Sequence, residues 1–187
     1  MQSRTLCVLR NSLMGNFLLV FTGDGKGKTT AALGASIRAA GHNYKVLIIQ
    51  FLKGSIKSGE QTFLKKYGEE LNIKLVTLGG GFVRDEESFK KAKAATHRGL
   101  KKVKRLFEQV RPQMIVLDEL SVALSLNLLT QEEAESLINE ALSYGHTIVT
   151  GRNTPDWLIA RADTVTEMHE TAHPFRKGIT ARKGIEY

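Results

Sequence analysis

A chain of 187 residues, of which 42% are hydrophobic and 25% charged, can form one globular core and lacks the bias of disordered or fibrous proteins. The formal net charge of +8 favours an anionic partner, a class that includes nucleotides, nucleic acids and membrane surfaces. The one cysteine, Cys7, excludes an internal disulfide framework and a multi-cysteine metal site, so we expect a reducing compartment, the cytoplasm.

Six short apolar runs rich in β-branched residues alternate with helical patterns along the chain. This alternation predicts an α/β fold, a mostly parallel sheet whose strands are joined by crossover helices. None of the runs reaches the roughly 20 residues that span a membrane. We expect a disordered segment at residues 1–15 and a single domain over residues 16–187. The predicted strands are Phe17–Thr22, Val46–Phe51, Ile73–Leu78, Met114–Leu117, Thr147–Thr150 and Val165–Met168.

The first strand runs directly into a glycine-rich loop, Thr22-Gly23-Asp24-Gly25-Lys26-Gly27-Lys28-Thr29-Thr30, and then into an alanine-rich helical stretch. Glycines let backbone N–H groups turn towards phosphate oxygens, Lys28 adds a cation, and Thr29 offers a hydroxyl to Mg²⁺. The usual P-loop spacing would put the first glycine at Thr22, whereas this chain has it at Gly23, so the loop is a variant. A turn that merely connected strand to helix would not require two lysines and two threonines there.

Two apolar stripes at helical spacing follow the loop, and we expect both to pack on the sheet. Capping-box spacing at Ser58 with Gln61 and at Thr130 with Glu133 indicates two helix starts, and Pro155 suits the first turn of another helix. The stripes are Leu33, Ile37 and Ala40, and then Phe63, Leu64, Tyr67 and Leu71.

The stretch from Phe89 to Val110 is strongly basic, but it also has apolar residues at helical spacing. We interpret its lysines and arginines as the solvent-exposed face of a helix, in preference to a stripe that binds nucleic acid. The apolar residues are Leu100, Val103, Leu106, Phe107 and Val110.

Two acids, Asp118 and Glu119, come directly after the predicted strand Met114–Leu117. In P-loop proteins a carboxylate at such a strand end holds Mg²⁺, directly or through water, because this hard cation prefers oxygen ligands. The alternative is that one of the two acids caps the following helix. The sequence leaves open which of them faces the metal.

The segment His169-Glu170-Thr171-Ala172-His173 matches H-E-x-x-H, the pattern of zinc metalloproteases. That pattern binds zinc only on a helix, where both histidines share one face. Here it follows a predicted strand, and Pro174 disfavours helical geometry at His173. We therefore expect no zinc site at these residues.

Taken together, the loop, the acidic strand end and several shorter motifs resemble the P-loop corrinoid adenosyltransferases of the cobalamin pathway over about residues 16–187. The shorter motifs are Arg38-Ala39-Ala40-Gly41-His42, Gln50-Phe51 with Lys53-Gly54, Gly81-Phe82, Leu117-Asp118-Glu119-Leu120, Thr150-Gly151-Arg152, Ala162-Asp163, Val165-Thr166-Glu167-Met168, and His173-Pro174-Phe175 to Gly184-Ile185-Glu186-Tyr187.

The resemblance implies a recombinase-like P-loop fold, a homodimer, and transfer of the 5′-deoxyadenosyl group of ATP to Co(I) with release of triphosphate. In this family ATP lies in a reversed sense along the loop, so the loop cations and Mg²⁺ would stabilise departing triphosphate. The resemblance also implies a reductase that delivers Co(I). It implies catalytic roles for Lys26, Lys28, Thr29 and Glu119, and a metal site at Thr29 with Asp118 or Glu119. The implied ATP-binding residues are Gly23, Asp24, Gly25, Lys26, Gly27, Lys28, Thr29, Thr30 and Arg38.

For the corrinoid, the resemblance implies contacts with Phe82, Arg84 and Arg152. An aromatic segment after the third strand displaces the lower cobalt ligand in this family, and Phe82 matches it. Familiar relatives carry tryptophan where this chain has Arg84. That departure fits either a preference for corrinoids without the lower base or a different neighbour that shields the cobalt.

Two other functions would also be consistent with a P-loop in this chain. A recombinase-like ATPase that acts on nucleic acid would fit the positive charge, but the sequence is only 7% aromatic and does not interleave aromatic residues with basic ones. A module that binds ATP without chemistry would show no turnover with a reduced corrinoid. We therefore expect small-molecule substrates and neither nucleic acid nor membrane as partner.

Overall fold

The computed structural model describes residues 15–52, 57–78, 83, 85–185 and 187. Within them lie six strands, six α-helices and a final 3₁₀ turn at Pro174–Lys177. Of the expected disordered segment at residues 1–15, residues 1–14 lie outside the described part. The elements in chain order are β1 (Leu18–Thr22), α1 (Lys28–Gly41), β2 (Val46–Gln50), α2 (Gly59–Tyr67), β3 (Ile73–Thr77), α3 (Glu86–Val110), β4 (Met114–Asp118), α4 (Leu120–Ser125), α5 (Gln131–Tyr144), β5 (His146–Thr150), α6 (Asp156–Arg161) and β6 (Thr164–Glu167).

The six strands form one sheet in the order β3-β2-β4-β5-β1-β6, and neighbouring strands are parallel throughout. The predicted α/β fold is thereby confirmed, and each strand begins and ends within one residue of its predicted bounds. The glycine-rich loop after β1, residues 23–30, is called the phosphate loop below. Because β5 lies between β1 and β4, this loop and the acidic end of β4 are separated by one strand.

Helices cover both faces of the sheet, as its buried strands require. Along β2, Val46 and Ile48 pack with α1 on one face, and Leu47 and Ile49 pack on the opposite face with α3 and α5. Successive side chains of a strand point to opposite faces, which explains this split. A continuous apolar run such as β2 therefore forms the centre of a three-layer structure.

The predicted stripe on α1 is wrong in part. Its buried face is Ala32, Ser36 and Ala39, whereas Ile37 is 60% exposed. Small side chains let the helix approach the sheet closely, and the Ser36 hydroxyl is satisfied by the Ala32 carbonyl oxygen at 2.8 Å. Of the predicted stripe, Leu33 and Ala40 pack against the core as partly buried residues, and only Ile37 lies on the exposed face.

The predicted stripe on α2 is also wrong in part, since none of the nine residues of this described helix is buried. Leu64 packs against the core, but Phe63 is 48% exposed, and its ring is tilted against that of Tyr67 with 5.1 Å between the ring centroids. Leu71 lies beyond the end of the helix. A short helix over the edge strand β3 has little sheet surface to cover.

The basic stretch forms α3, and its apolar residues face the core as predicted. Val103, Leu106 and Phe107 are buried, while Lys90 and Lys91 lie in solvent beside Glu86 and Glu87 one turn away. The predicted helix starts at Ser58 and Thr130 are both confirmed, with both capping-box hydrogen bonds at Thr130 and the Gln61 half of the box at Ser58, and α6 begins directly after Pro155. Among the described residues, no helix is both long and apolar enough to span a membrane.

The two aromatic residues Phe107 and Phe63 provide a test of this packing. We expect Phe107→Ala to lower the free energy of unfolding by about 3–5 kcal/mol, because the ring is buried and packs on the Tyr144 ring with 5.5 Å between the ring centroids. The control Phe63→Ala should cost about 1 kcal/mol or less. Urea unfolding followed by circular dichroism measures both values. Equal losses would mean that α2 is packed as tightly as α3.

Candidate functional site

The phosphate loop joins β1 to α1 and lies against the chain segment that follows β6. The Gly25 amide donates to the Met168 carbonyl oxygen at 2.7 Å. Gly23 and Gly27 have φ of 91° and 117°, the left-handed region that glycine adopts without strain. At Gly23 a Cβ would lie 2.4 Å from the Met168 carbonyl oxygen. The glycines are therefore required both by the loop conformation and by this close approach.

Lys28 is the first residue of α1 and is only 7% exposed. Its Nζ donates to the carbonyl oxygens of Gly23 and Gly25 at 2.6 and 2.7 Å. Burial lowers the pKa of this ammonium, the Arg152 guanidinium lowers it further, and the carboxylates of Glu119 and Asp24 act in the opposite direction. An anionic ligand at the loop would thus favour the charged lysine.

Asp118 at the end of β4 accepts hydrogen bonds from three directions. Its Oδ1 receives the hydroxyls of Thr29 and Thr150, both at 2.8 Å, and its Oδ2 receives the amide of Gln50 at 3.0 Å. The side chain is 1% exposed. Both oxygens are therefore engaged with protein, and Asp118 holds the Thr29 hydroxyl rather than facing the solvent.

Glu119 is placed differently from its neighbour. Its φ of 64° lies in the left-handed region, which is unusual for a residue with a side chain, and its amide donates to Thr150 Oγ1 at 2.9 Å. Residues held in such a conformation are often found at functional sites. The turn allows Asp118 to point into the interior while Glu119 lines the cavity beside the loop.

A cavity of about 480 Å³ opens beside the phosphate loop. Residues 25–30 of the loop, with Glu119 and Arg152, form its polar lining. Leu52 and Val83, which follow β2 and β3, extend the lining towards the edge of the sheet at which β3 lies. Val122 and Leu126 of α4 complete this apolar part. The cavity thus combines a cationic part with an apolar wall.

The oxygen groups of this cavity fit Mg²⁺. The Thr29 hydroxyl gives its proton to Asp118, which leaves its lone pairs available, and the Glu119 carboxylate lines the same cavity. In the described part of the chain, no three histidine, cysteine, aspartate or glutamate residues are grouped for a metal. Mg²⁺ characteristically uses one or two protein oxygens together with water and substrate phosphates, so a site of this size is sufficient.

Arg152 also lines a second, larger cavity of about 1230 Å³. It follows Gly151, whose φ is 145° and whose Cβ position would lie 2.8 Å from Ser121 Cβ. Its Nη2 donates to the Asp24 carbonyl oxygen at 3.3 Å. Beyond it, Glu170 pairs with Arg176, and this contact lowers the pKa of Glu170. Arg152 therefore stands between the phosphate loop and the second cavity.

The structure brings together part of the predicted site. Lys26, Thr30 and the residues just described lie at the loop cavity, and Asp24 lies at the second cavity. Arg38 lies in the last turn of α1, exposed and about 15 Å along the helix from Lys28, so within one chain it is far from the loop. Phe82 and Arg84 lie outside the described residues, as do the motif residues Lys53, Gly54 and Gly81.

The segment with the H-E-x-x-H spacing is not helical. His169 and Glu170 follow β6 outside any helix or strand, and His173 precedes the 3₁₀ turn, where its Nδ1 accepts from the Phe175 amide at 3.1 Å. Glu170 is paired with Arg176. The geometry that the zinc pattern requires is absent from these described residues.

For two motif residues, Gln50 and Thr150, the sequence pattern did not predict the role that the structure shows. Gln50 and Thr150 hold Asp118, and each is a polar residue that ends an otherwise apolar strand. Their position at the carboxyl ends of parallel strands is the signal that could have identified them. Apart from hydrophobicity, nothing in the sequence pattern predicts that the cavity is also lined by Val83, Val122 and Leu126.

Comparison with known proteins gives a family and two sets of relatives. The model of the family described as ATP:corrinoid adenosyltransferase BtuR/CobO/CobP matches residues 15–187. The corrinoid adenosyltransferase of Pseudomonas aeruginosa is 36% identical over 170 residues, which cover 91% of this chain and 83% of that protein. The corrinoid adenosyltransferase of Escherichia coli K12 is also 36% identical, over 91% of this chain and 85% of its own length.

Among solved structures, the flagellar accessory protein FlaH of Methanocaldococcus jannaschii is similar in fold. The two superpose with a TM-score of 0.55 at 10% identity, covering 89% of this chain and 77% of FlaH. At this identity the likeness concerns the fold alone.

Proposed function

Because the chain belongs to the ATP:corrinoid adenosyltransferase family, we propose that it transfers the 5′-deoxyadenosyl group of ATP to the Co(I) of a corrinoid and releases inorganic triphosphate. The observation in the structure that carries this proposal is the single cavity in which a P-loop faces an apolar wall. The phosphates of ATP suit the first part, and the flat macrocycle of a corrinoid suits the second.

The reaction is a substitution at C5′ of ATP. The electron pair of Co(I) forms the cobalt–carbon bond, the bond from C5′ to the α-phosphate oxygen breaks, and triphosphate leaves with that electron pair. The corrinoid substrate is itself the nucleophile, so no covalent bond to the protein is required. What the protein must supply is a fixed set of cations and N–H donors for the negative charge that grows on triphosphate.

Lys26, Lys28 and Thr29 are the residues we assign to that task. The Lys28 ammonium has three N–H groups, so it can hold the carbonyls of Gly23 and Gly25 and still donate to a phosphate oxygen. Lys26 lines the same cavity. The loop from Gly23 to Thr30, together with the start of α1, is the proposed ATP site.

Mg²⁺ is part of the proposal, with Thr29 and Glu119 as its protein ligands. When bound, it would neutralise phosphate charge that the loop cations do not reach. Asp118 would contribute by holding the Thr29 hydroxyl, since both of its oxygens already accept hydrogen bonds. This division of roles uses both acids without requiring Asp118 to leave its buried position.

We assign the apolar side of the cavity to the corrinoid. Val83 lines this side together with Leu52 and Leu126, and it lies between Phe82 and Arg84, the residues that the family resemblance links to the lower cobalt ligand. Arg152 can reach either substrate, since it lines both the loop cavity and the larger one. A corrinoid bound here would face the C5′ end of a nucleotide whose phosphates lie in the loop.

The nucleic-acid ATPase is less well supported. The lysines of α3 lie in solvent or pair with acids, as Lys104 does with Glu140 of α5 at 3.3 Å. A homodimer, a cytoplasmic location and a reductase that supplies Co(I) complete the proposal. The exposed apolar side chains Ile37 and Phe63 on α1 and α2 would suit a subunit contact.

The identity of the released phosphate species tests the reaction. With ATP, Mg²⁺ and reduced cobalamin, we expect the light-sensitive adenosylcorrinoid spectrum and triphosphate in equal amounts by phosphorus NMR. Lys28→Ala should slow this step by about 10²–10³, the usual effect of removing one preorganised charge stabiliser. Lys101→Ala, an exposed lysine of α3, is the control and should retain the rate. ADP formed in step with turnover would mean attack at the γ-phosphate instead.

The division between the two acids can be tested by removing one charge at a time. Glu119→Gln should reduce the gain in ATP affinity that Mg²⁺ provides by about tenfold or more, while ATP affinity in EDTA and the free energy of unfolding stay near their original values. Asp118→Asn should also lower the free energy of unfolding, by about 1–3 kcal/mol, because an amide N–H₂ replaces a buried acceptor. Calorimetric titration and urea unfolding measure these effects. Unchanged metal dependence in Glu119→Gln would transfer the ligand role to Asp118.

The corrinoid assignment predicts a difference between two substrates. Phe82→Ala should lower kcat/KM more for cobalamin than for cobinamide, by roughly tenfold, because only cobalamin has a lower base to displace. Arg84→Trp should raise turnover of cobalamin if the arginine limits that displacement. Initial rates of cobalt–carbon bond formation with each corrinoid provide the comparison. Equal losses on both substrates in Phe82→Ala would contradict the assignment.

A further inference from the structure

A chain of side-chain amides runs from the buried carboxylate of Asp118 to the start of α2. Gln50 is 0% exposed, and its Nε2 donates to Asp118 Oδ2 at 3.0 Å. Gln61 Nε2 then donates to Gln50 Oε1 at 2.9 Å. The chain ends where Gln61 Oε1 accepts the Ser58 amide at 3.3 Å, as part of the capping box of α2.

The direction of this relay is set by chemistry. An ionised carboxylate only accepts hydrogen bonds, so the amide of Gln50 must turn its N–H₂ towards Asp118. Its carbonyl then faces Gln61, which must donate in turn and present its own carbonyl to Ser58. Each glutamine has one orientation that satisfies both neighbours. These three hydrogen bonds, called the relay below, therefore form as a unit, and the orientation of both glutamines depends on the contact between Gln50 and Asp118.

Gln50 is the group that fixes the rotation of the Asp118 carboxylate. The other oxygen, Oδ1, accepts the hydroxyls of Thr29 and Thr150. With donors on both oxygens, the carboxylate has one plane, and the Thr29 hydroxyl must direct its proton towards Asp118. Without Gln50, Oδ2 would be a buried acceptor without this donor, and rotation would compete with the Thr29 contact.

We propose that Gln50 is a positioning residue for the magnesium site, and that Gln61 acts through Gln50. The inference rests on the proposed function, in which the lone pairs of Thr29 receive the metal. Gln50 pairs with Asp118 in the register of β2 and β4, so the donor comes from the backbone alignment of two central strands. A supporting group of this kind typically changes metal affinity by about 10–100-fold when it is removed.

The experiment measures ATP binding by calorimetry without corrinoid, once with Mg²⁺ and once with EDTA. The dissociation constant in EDTA divided by the dissociation constant with Mg²⁺ gives a ratio, which measures how much the metal strengthens ATP binding. Gln50→Leu keeps approximate size and removes the donor. We expect it to reduce the ratio by about tenfold while the dissociation constant in EDTA changes less than about twofold, because the loop amides and Lys28 are untouched.

Gln61→Leu should reduce the ratio by less, and the double variant Gln50→Leu with Gln61→Leu should match Gln50→Leu alone. That non-additivity is the signature of one residue acting through another. The matched control is Gln113→Leu, at the amino end of β4, whose Oε1 accepts the Lys45 amide at 2.8 Å. It removes a glutamine hydrogen bond from the opposite end of the same strand and should leave the ratio unchanged.

Urea unfolding of each variant separates this role from a merely structural one. A ratio unchanged in folded Gln50→Leu, or additive losses in the double variant, overturns the proposal. A ratio reduced in Gln113→Leu by the same factor as in Gln50→Leu also overturns it. If Glu119→Gln alters the ratio and Gln50→Leu does not, the magnesium site stands and the relay fails. If neither alters it, both proposals fail.

Discussion

The buried carboxylate of Asp118 is the constraint on which the rest of the structure depends. Removing such a group from water is costly unless each oxygen receives hydrogen bonds. Here the donors come from the first turn of α1 and from the ends of β2 and β5, at Thr29, Gln50 and Thr150. Three strands must therefore end at the same level of the sheet. A slip of one residue in any of them would send the donor to the opposite face.

That constraint links the fold to the chemistry. Since β5 separates β1 from β4, the phosphate loop cannot contact the acidic strand directly through the sheet, and Thr150 fills the interval between them. Asp118 then reaches across to Thr29, at the start of α1. Glu119 can turn outward because its neighbour is secured, at the expense of a left-handed backbone conformation. The arrangement explains why two adjacent acids have different surroundings.

The sequence predicted what depends on local pattern and missed what depends on strand order. The six strands, the loop and the basic face of α3 follow from alternation, glycine spacing and helical periodicity. The buried face of α1 was misjudged because close packing on the sheet favours the small side chains Ala32 and Ala39 over Ile37, and that of α2 because a short helix over the edge strand buries none of its residues. The contacts of Gln50 and Thr150 with Asp118 could be predicted only once β2 and β5 were known to flank β4.

The contact between the phosphate loop and Met168 has a consequence for how the molecule is made. The loop is near the amino end of the chain, yet its Gly25 amide is satisfied by a carbonyl beyond the last strand, and Thr22 accepts the Met168 amide at 2.8 Å. During translation the ribosome releases the loop long before this partner emerges. Pairings between such distant segments form slowly. A nascent chain therefore completes this part of the loop only after β6 and Met168 have been synthesised.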